Sequence, residues 1–389
     1  MGEPALKPGW RWVKFGDVVH QVKDKVDPAS AGLKWYVAGE HMDTDDLRIQ
    51  RRGEIGDNYL GPAFHMRFIP GQVLYGSRRT YLRKVARADF EGICANTTFV
   101  LESKDESVLV PDLLPFLMQT ESFHEHSVKQ SKGSVNPYVN FSDLAWYEFP
   151  LPPLKHQKRA VGLMAAIDRE CAALMAAKTS LSRVRSAFAE DFFAHASNIG
   201  PMIRLEDGCL RITDGTHQPP RFTSEGVPFF LVKTISSGSI DWSTTKFVSK
   251  ATYAELTKRV RPQRGDVLYT AVGATYGVAL LVDFDDPFVF QRHIAHIIPN
   301  TDIFDGKYIE IFLNSTVGKR QSDQAAIGSA QPTVTLRSLC NFDIPRPDLD
   351  TQSFFVDQIS GFDRRIANLE DRTQSALGMR AAALREVFE

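Results

Sequence analysis

FPLPPLKHQ, at Phe149–Gln157, occurs a second time in this chain in altered form, as IPRPDLDTQ at Ile344–Gln352. Each stretch starts with apolar residues typical of a strand and then runs into prolines, a leucine and a glutamine. Proline cannot continue a strand, but it is accepted in the first turn of a helix. Each stretch therefore predicts a change from strand to helix, and its recurrence after about 195 residues predicts that the chain is duplicated.

Two further matches precede these stretches in the same order. GQVLY at Gly71–Tyr75 matches GDVLY at Gly265–Tyr269, and KGSVNPYV at Lys132–Val139 matches IGSAQPTV at Ile327–Val334. Each match is weak alone, but all keep one order and nearly one offset. The sequence therefore predicts a tandem duplication of one module.

Each copy begins with about 150 residues that mix short β-type runs with turn signals. Examples are ICANTTFVLE at Ile93–Glu102 and HIAHIIP at His293–Pro299. Glycine and proline separate these runs, which indicates a mixed domain with much sheet, and a helical pattern follows the proline-rich stop. The predicted fold class is α+β, a tandem duplication of a mixed α/β domain plus a long helix. The predicted boundaries are 1–152, 153–197, 198–347 and 348–389.

Apolar residues recur at alternating steps of three and four along both predicted helices. In the first they are Met164, Ile167, Cys171, Leu174, Leu181, Phe188 and Phe192, with Lys178 and Arg185 as exceptions. In the second they are Ile359, Phe362, Ile366, Leu369, Ala376, Ala383 and Val387, with Thr373 and Arg380 as exceptions. This period predicts that the two long helices form a coiled coil, antiparallel and about 54 Å long. The alternative is that each helix caps its own domain.

The composition restricts the location and class of the protein. The net charge is −1, so any surface for nucleic acid has to be a local cluster of basic residues. No apolar run reaches the roughly 20 residues that span a bilayer, and the start lacks the pattern of a signal peptide. Four cysteines without a C-x-x-C pair exclude an obvious zinc site and are typical of a reducing cytoplasm. We expect a cytoplasmic protein without a membrane segment.

Two similar domains at a fixed separation suit a ligand with two similar parts, and duplex DNA is such a ligand, with half-sites roughly 34 Å apart for one turn. Basic and polar residues near the ends of strands are the candidates for this contact. In the first copy they are Arg78, Arg79, Tyr81, Arg83 and Lys84, and in the second Lys258, Arg259, Arg261, Thr275, Tyr276 and Arg292. Arginine and lysine bind phosphates, and arginine can also read base edges. The alternative is that these clusters are solvated surfaces.

The G-S motif in the middle of each copy adds a second set of candidates. Glycine lets the backbone approach a partner closely, and hydroxyl and amide groups can contact phosphates and bases. The candidates in this motif are Lys132, Ser134, Asn136, Ser329 and Gln331. The alternative is a loop that only fixes the entry to the helical part.

The order of these parts resembles the DNA-specificity subunits of type I restriction–modification systems over essentially the full chain. The shared features are a mixed domain, a G-S-x-x-P loop, a strand ending in PLPPL and the glutamine-bearing helix start LKHQKRAVGLMAAID, all repeated. The resemblance implies that each mixed domain is a target-recognition domain reading one half of a split double-stranded DNA sequence. It implies that the helices set the spacing and dock two methyltransferase subunits, which restriction–translocase subunits join.

The resemblance further implies a non-catalytic chain without a cofactor of its own. The partner subunits are expected to use S-adenosylmethionine, and ATP with magnesium. The second copy departs from the family pattern with IPRPDLDTQ and with the softer seam residues Thr373, Ala376 and Ala383. This departure puts the second docking surface in doubt.

Several patterns that would indicate an enzyme are incomplete. Asn136-Pro137-Tyr138 lacks the second proline of an adenine methyltransferase loop, and no glycine-rich cofactor turn follows a strand. Asp89 with Glu102-Ser103-Lys104 has the outline of a nuclease site, and the acidic run of 41–46, which starts with His41, has that of a metal site, but turns are the more common explanation. Two other hypotheses remain, a coiled-coil scaffold that binds only proteins and the recognition half of a split single-chain restriction enzyme.

Overall fold

The computed structural model describes residues 6–56, 60–195, 198, 200–258 and 261–388. The chain forms two units, one of Met1–Leu174 with Asp371–Glu389 and one of Met175–Glu370. Each unit therefore contains one mixed domain and a part of both long helices.

The first domain is built from strands of two to six residues. They are β1 Arg11–Lys14, β2 Val19–Val22, β3 Trp35–Val37, β4 Gly53–Glu54, β5 Phe64–Phe68, β6 Val73–Gly76, β7 Val85–Arg87, β8 Gly92–Ala95, β9 Thr98–Ser103 and β10 Glu148–Leu151. Two four-stranded sheets have the orders β2-β9-β6-β7 and β4-β3-β8-β5, and β1 pairs with β10. The helices are α1 Phe15–Val18, α2 Leu114–Leu117, α3 Glu121–Lys129 and α4 Phe141–Leu144.

The second domain repeats most of this arrangement. Its strands are β11 Met202–Arg204, β12 Cys209–Asp214, β13 Val227–Phe230, β14 Lys246–Val248, β15 Val267–Thr270, β16 Ala279–Leu281, β17 Val289–Phe290, β18 Ile294–Pro299 and β19 Asp343–Pro345. The sheets have the orders β12-β18-β15-β16 and β14-β13-β17, and β11 pairs with β19. The helices are α6 Val232–Ile235, α7 Lys250–Leu256, α8 Gly306–Asn314, α9 Thr316–Ala325 and α10 Leu336–Cys340. In the part of the chain that the structure describes, β5 has no counterpart here.

The repeated VLY motif forms a central strand in both domains, β6 in the sheet β2-β9-β6-β7 and β15 in the sheet β12-β18-β15-β16. Val73 and Tyr75 of β6 belong to one apolar cluster and Leu74 to another, because successive side chains of a strand point to opposite faces. In β15 the same alternation puts Val267 and Tyr269 in one cluster and Leu268 in another. The motif recurs because a strand buried on both faces tolerates only apolar residues.

Two long helices follow the proline-rich stops, α5 at Leu154–Ala194 and α11 at Leu349–Phe388. In the first turn of α5, the buried Gln157 accepts from Val110 N at 2.9 Å and donates to the carbonyls of Val108 and Pro152, both at 2.8 Å. Gln352 makes the corresponding three bonds in α11, with Asp305 N and with the carbonyls of Ile303 and Pro347. Each glutamine therefore ties a helix to its domain, and the altered sequence of the second copy keeps this bond pattern.

In the first unit, α5 and α11 run antiparallel. Ile167 and Cys171 of α5 form a buried cluster with Ala376 of α11. One turn further on, the guanidinium of Arg380 lies 3.5 Å from the carboxylate of Asp168. Residue numbers in these contacts fall along α5 as they rise along α11. This order confirms the predicted antiparallel coiled coil in this unit.

In the second unit, the remaining parts of α5 and α11 are also antiparallel. Lys178 Nζ lies 2.6 Å from Glu370, and Arg185 donates to both carboxylate oxygens of Asp363, at 2.6 and 3.3 Å. The charged exceptions in the seam pattern are therefore cross-helix ion pairs. The Arg185–Asp363 pair corresponds under the 195-residue repeat to the pair in the first unit, so the duplication extends to the polar contacts of the seam.

Candidate nucleic-acid interface

Three segments of the first domain come together through main-chain hydrogen bonds, and we call residues 77–83, 95–97 and 132–139 loop cluster 1. Ser77 N donates to the carbonyl of Thr97 at 3.0 Å, and Val139 N donates to the carbonyl of Ser77 at 2.9 Å. Arg79 N donates to the carbonyl of Pro137 at 2.6 Å. The loop after β6, the β8–β9 turn and the G-S loop therefore form one surface.

Loop cluster 1 exposes several of the side chains that the sequence singled out. Arg78 and Arg79 are exposed, and Tyr81 keeps 53% of its surface accessible. Ser134 and Asn136 are exposed on either side of Val135, which is 93% accessible. Among the described residues, no side chain bonds to Arg78 or Arg79, which leaves both guanidinium groups open to an external acceptor.

Three other candidates of the first domain are held by internal partners. Arg83 donates to Asp45 at 2.7 Å, to the carbonyl of Gln119 at 2.9 Å and to Glu121. Lys84 donates to the carbonyl of Gly39. Lys132 pairs with Asp143 at 2.9 Å, and this contact holds the pKa of the Asp143 carboxyl below its usual value. Arg83, Lys84 and Lys132 are therefore left out of the open basic surface, because a charge that is already satisfied has less to gain from a phosphate.

The second domain contains the same arrangement, and we call residues 271–277, 291–293 and 327–334 loop cluster 2. Ala271 N donates to the carbonyl of His293 at 2.9 Å, and Val334 N donates to the carbonyl of Ala271 at 2.8 Å. Gly273 N donates to the carbonyl of Pro332, also at 2.9 Å. These bonds match those of loop cluster 1 one by one.

Loop cluster 2 exposes Thr275, Arg292, Ser329 and Gln331. Tyr276 differs, because its hydroxyl donates to Asp323 at 2.8 Å, and this bond raises the pKa of the phenol. The exposed set is less basic than in the first domain, and Arg292 supplies its positive charge.

The G-S motif forms the same closed loop in both domains. Lys132 and Tyr138 exchange two main-chain hydrogen bonds, of 2.7 and 2.9 Å, and Ile327 and Thr333 do the same at 3.0 and 2.9 Å. The motif glycines have φ angles of 90° and 89°, which side chains other than glycine rarely adopt. The glycine therefore shapes the loop, and the next four residues are carried at its exposed tip.

The loop after the central strand has positive φ angles at the same two positions in both domains, but different residues occupy them. Arg79 and Arg83 have φ angles of 49° and 51°, and their counterparts are Gly273 and Gly277, with 101° and 82°. A residue other than glycine in this region costs on the order of 1 kcal/mol. Arg83 offsets this cost through its ion pairs, whereas Arg79 forms no ion pair with any residue that the structure describes. An exposed arginine held at a strained position without an internal partner is a reason to expect an external one.

The basic cluster before β15 precedes loop cluster 2 in the chain, with β15 between them. Lys258 is exposed beside a cavity of about 530 Å³. Arg261 lies over the ring of Tyr253 at 5.4 Å from its centroid, and Arg264 bonds to both oxygens of Asp285. Arg259 lies outside the described residues. Thr216 lines the same cavity as Lys258, and its carbonyl accepts from Arg292 N at 3.1 Å, so this cavity extends to the turn that carries Arg292.

One exposed residue of loop cluster 1, Asn96, was missed in the sequence. It lies in the β8–β9 turn, and its N–H donates to the carbonyl of Ala63 at 2.9 Å. ICANTTFVLE was interpreted as one strand-like run, but the structure turns at Asn96-Thr97. The polar pair between two apolar runs is the signal that could have revealed this turn.

The acidic residues considered as an enzyme site have arginine, glutamine and histidine partners. Asp43 pairs with Arg51, and Asp46 accepts from Arg48 and Gln50. Glu102 accepts from Gln72 at 2.8 Å and lies 3.1 Å from His20. Within the described residues, no group of three or more His, Cys, Asp and Glu could hold a metal ion.

Two equivalent domains, each with an exposed loop cluster and each tied to an antiparallel helix pair, define a class of proteins with a duplicated recognition domain and two long helices. Residues 54–181 and 226–377 match the family model of the type I restriction modification DNA specificity domain. The chain belongs to this family, which confirms the resemblance seen in the sequence.

Relatives and solved structures agree with this assignment. The chain is 24% identical over 300 residues to the type I restriction enzyme MjaVIII specificity subunit of Methanocaldococcus jannaschii, covering 71% of this chain and 68% of that protein. It is 26% identical over 158 residues to the EcoDI specificity subunit of Escherichia coli, covering 41% of this chain and 34% of that protein.

Two solved structures share the fold over nearly the whole length. The type I restriction–modification S subunit of M. genitalium has 13% identity and a TM-score of 0.59, with 99% of this chain and 98% of that chain covered. A structure described under complex assembly and conformational transition of the type I system has 21% identity and the same TM-score, with 99% of each chain covered. In the part of the chain that is described, no helix is long and apolar enough to cross a membrane.

Proposed function

We propose that this chain is the non-catalytic DNA-reading subunit of a type I restriction–modification complex, with each loop cluster reading one half of a bipartite target in double-stranded DNA. The observation that carries the proposal is the repetition of one exposed three-segment surface in two domains with matching main-chain bonds. Family membership supports the role in sequence specificity.

The exposed groups of the loop clusters suit the two kinds of contact that a DNA reader makes. Arg78 and Arg79 are suited to phosphates, which fix the position of a protein on the duplex. Asn136 and Gln331 occupy equivalent places at the tips of the G-S loops, and both side chains are primary amides. Asparagine and glutamine form paired hydrogen bonds with the major-groove edge of adenine. We therefore assign the G-S loop tips to contacts with DNA bases, and the loop after β6 to contacts with the phosphates of the DNA backbone.

The long helices are suited to set the spacing and to bind partner subunits. They carry exposed large apolar side chains, which are Leu163, Leu377 and Met379 in the first unit and Met175, Val184 and Phe354 in the second. Exposed apolar groups on a helix pair favour a protein partner. We assign these faces to two methyltransferase subunits, which would use S-adenosylmethionine. The restriction–translocase subunits, with ATP and magnesium, would join that assembly in the cytoplasm.

A map of methylated bases in the host genome, made with the gene intact and deleted, tests the proposal. The expected result is that one bipartite methyladenine motif disappears on deletion and returns when the gene is restored. A deletion that leaves every methylated motif in place, in a strain that expresses the methyltransferase partner, would contradict the proposal. Sequence-specific binding of the purified complex to the lost motif provides the independent check.

A further inference from the structure

The turn between the last two strands of the core is a second exposed point that the two domains share. Asn96 N donates to the carbonyl of Ala63 at 2.9 Å, and Arg292 N donates to the carbonyl of Thr216 at 3.1 Å. The carbonyl of the next residue, Thr97 or His293, accepts from the loop after the central strand. Asn96 and Arg292 therefore occupy equivalent positions, each beside a G-S loop.

Arg292 is held in an orientation that leaves its guanidinium fork free. Its Nε donates to Nε2 of His293 at 3.2 Å, and its side chain is exposed. No carboxylate among the described residues pairs with it. Arg264 provides the contrast, because both ends of its guanidinium are bound to Asp285. The two Nη groups of Arg292 are therefore available to an outside partner with two acceptors.

His293 provides the acceptor that keeps Arg292 in this orientation. An imidazole ring accepts a hydrogen bond only through a nitrogen without a proton. Burial, together with the neighbouring charge of Arg292, holds the pKa of His293 below its usual value. The ring is therefore neutral at physiological pH, with its proton on Nδ1 and Nε2 free to accept.

The chemistry of this site points to one base. Arginine binds the O6 and N7 acceptors of guanine with two parallel hydrogen bonds, and Arg292 lies beside the G-S loop, whose tip we assign to base contacts. We infer that Arg292 reads a guanine in the half of the target bound by the second domain, with His293 as a positioning residue. This inference rests on the proposed function. The first domain has Asn96 at the same place, so the two halves are read by different chemistry at this point.

The test uses the complete complex with its methyltransferase partner and a set of duplexes in which each position of the target carries each base pair in turn. In the wild type, one guanine in the second-domain half should be preferred by roughly 5- to 150-fold over the other bases. Arg292→Ala should reduce that preference to about 2-fold or less and leave all other positions unchanged. Arg292→Lys keeps the charge but lacks the planar fork, so its guanine preference should fall below that of the wild type while overall affinity persists.

Each result has a definite meaning. If Arg292→Ala keeps the full guanine preference, or if it weakens binding to all sequences evenly, Arg292 does not read the base and the inference is wrong. A target half without a required guanine also overturns it. Arg264→Lys is the matched control, because the guanidinium of Arg264 is bound to Asp285. The base preferences of the complex with this variant should equal those of the wild type. A wild-type complex without any sequence preference would instead refute the proposed function itself.

Discussion

Replacing Arg78 and Arg79 together by glutamine removes two exposed charges from loop cluster 1 that have no internal partner in the described part of the chain. Each phosphate contact contributes about 0.9 to the slope of log affinity against log salt concentration. Loss of two contacts should flatten that slope by about 1.8. Between 50 and 200 mM salt, the wild-type complex should therefore lose roughly 12-fold more affinity than the double variant.

The measurement is fluorescence anisotropy of a labelled duplex with the chain and its methyltransferase partner, repeated over this range of salt. The loss should be similar on the target and on random DNA, because phosphate contacts carry no sequence information. Lys84→Met is the control, since Lys84 already donates to the carbonyl of Gly39 and should leave the slope as it is. A double variant with the wild-type slope would refute the assignment of these arginines to phosphates.

Three further substitutions test the helix start, the cross-helix ion pair and the shape of the G-S loop. Gln157→Met removes three buried hydrogen bonds, one of them from a main-chain N–H, and should lower the free energy of unfolding by roughly 2 to 4 kcal/mol in calorimetry. If Lys158→Met, at the exposed neighbouring position, lowers the free energy of unfolding by the same amount, the lost hydrogen bonds of Gln157 are not the cause. Arg185→Asp should destabilise the helix pair by about 1 kcal/mol, and adding Asp363→Arg should restore most of it; a double variant less stable than either single one would speak against the ion pair. Gly133→Ala forces a side chain onto a φ of 90°, so DNA affinity of the complex should fall, and unchanged affinity would show that the loop shape is not needed.

Much of the architecture could be predicted because the sequence contains two copies of the same module. The proline stop before Leu154 and Leu349 gave the helix starts, and the seam pattern gave the pairing of the helices. Lys178 and Arg185 broke that pattern, yet each has an acidic partner on the other helix. A repeated sequence reveals shared structure because both copies have to satisfy the same packing.

The individual contacts of the candidate site were harder to predict. Arg83 is in the same basic run as Arg78, but its partner Asp45 lies 38 residues away, and the sequence does not show that the fold brings them together. Lys258 precedes β15 and Arg292 follows it, and the sequence does not show that the cavity beside Lys258 extends to the turn of Arg292. Asn96 was overlooked because a turn between two buried strands looks like one strand. Charge and exposure at a surface depend on the tertiary fold more than on local pattern.

The main-chain bonds that shape both loop clusters have a consequence for how such a protein changes over time. The bonds from Arg79 N to Pro137 and from Gly273 N to Pro332 connect backbone atoms, which every amino acid except proline can supply on the donor side. Mutations at the exposed tips can therefore alter the chemistry presented to a ligand without rebuilding the framework beneath. A lineage under pressure to recognise new sequences could acquire them by single amino-acid exchanges, one half at a time, while the two long helices stay the same.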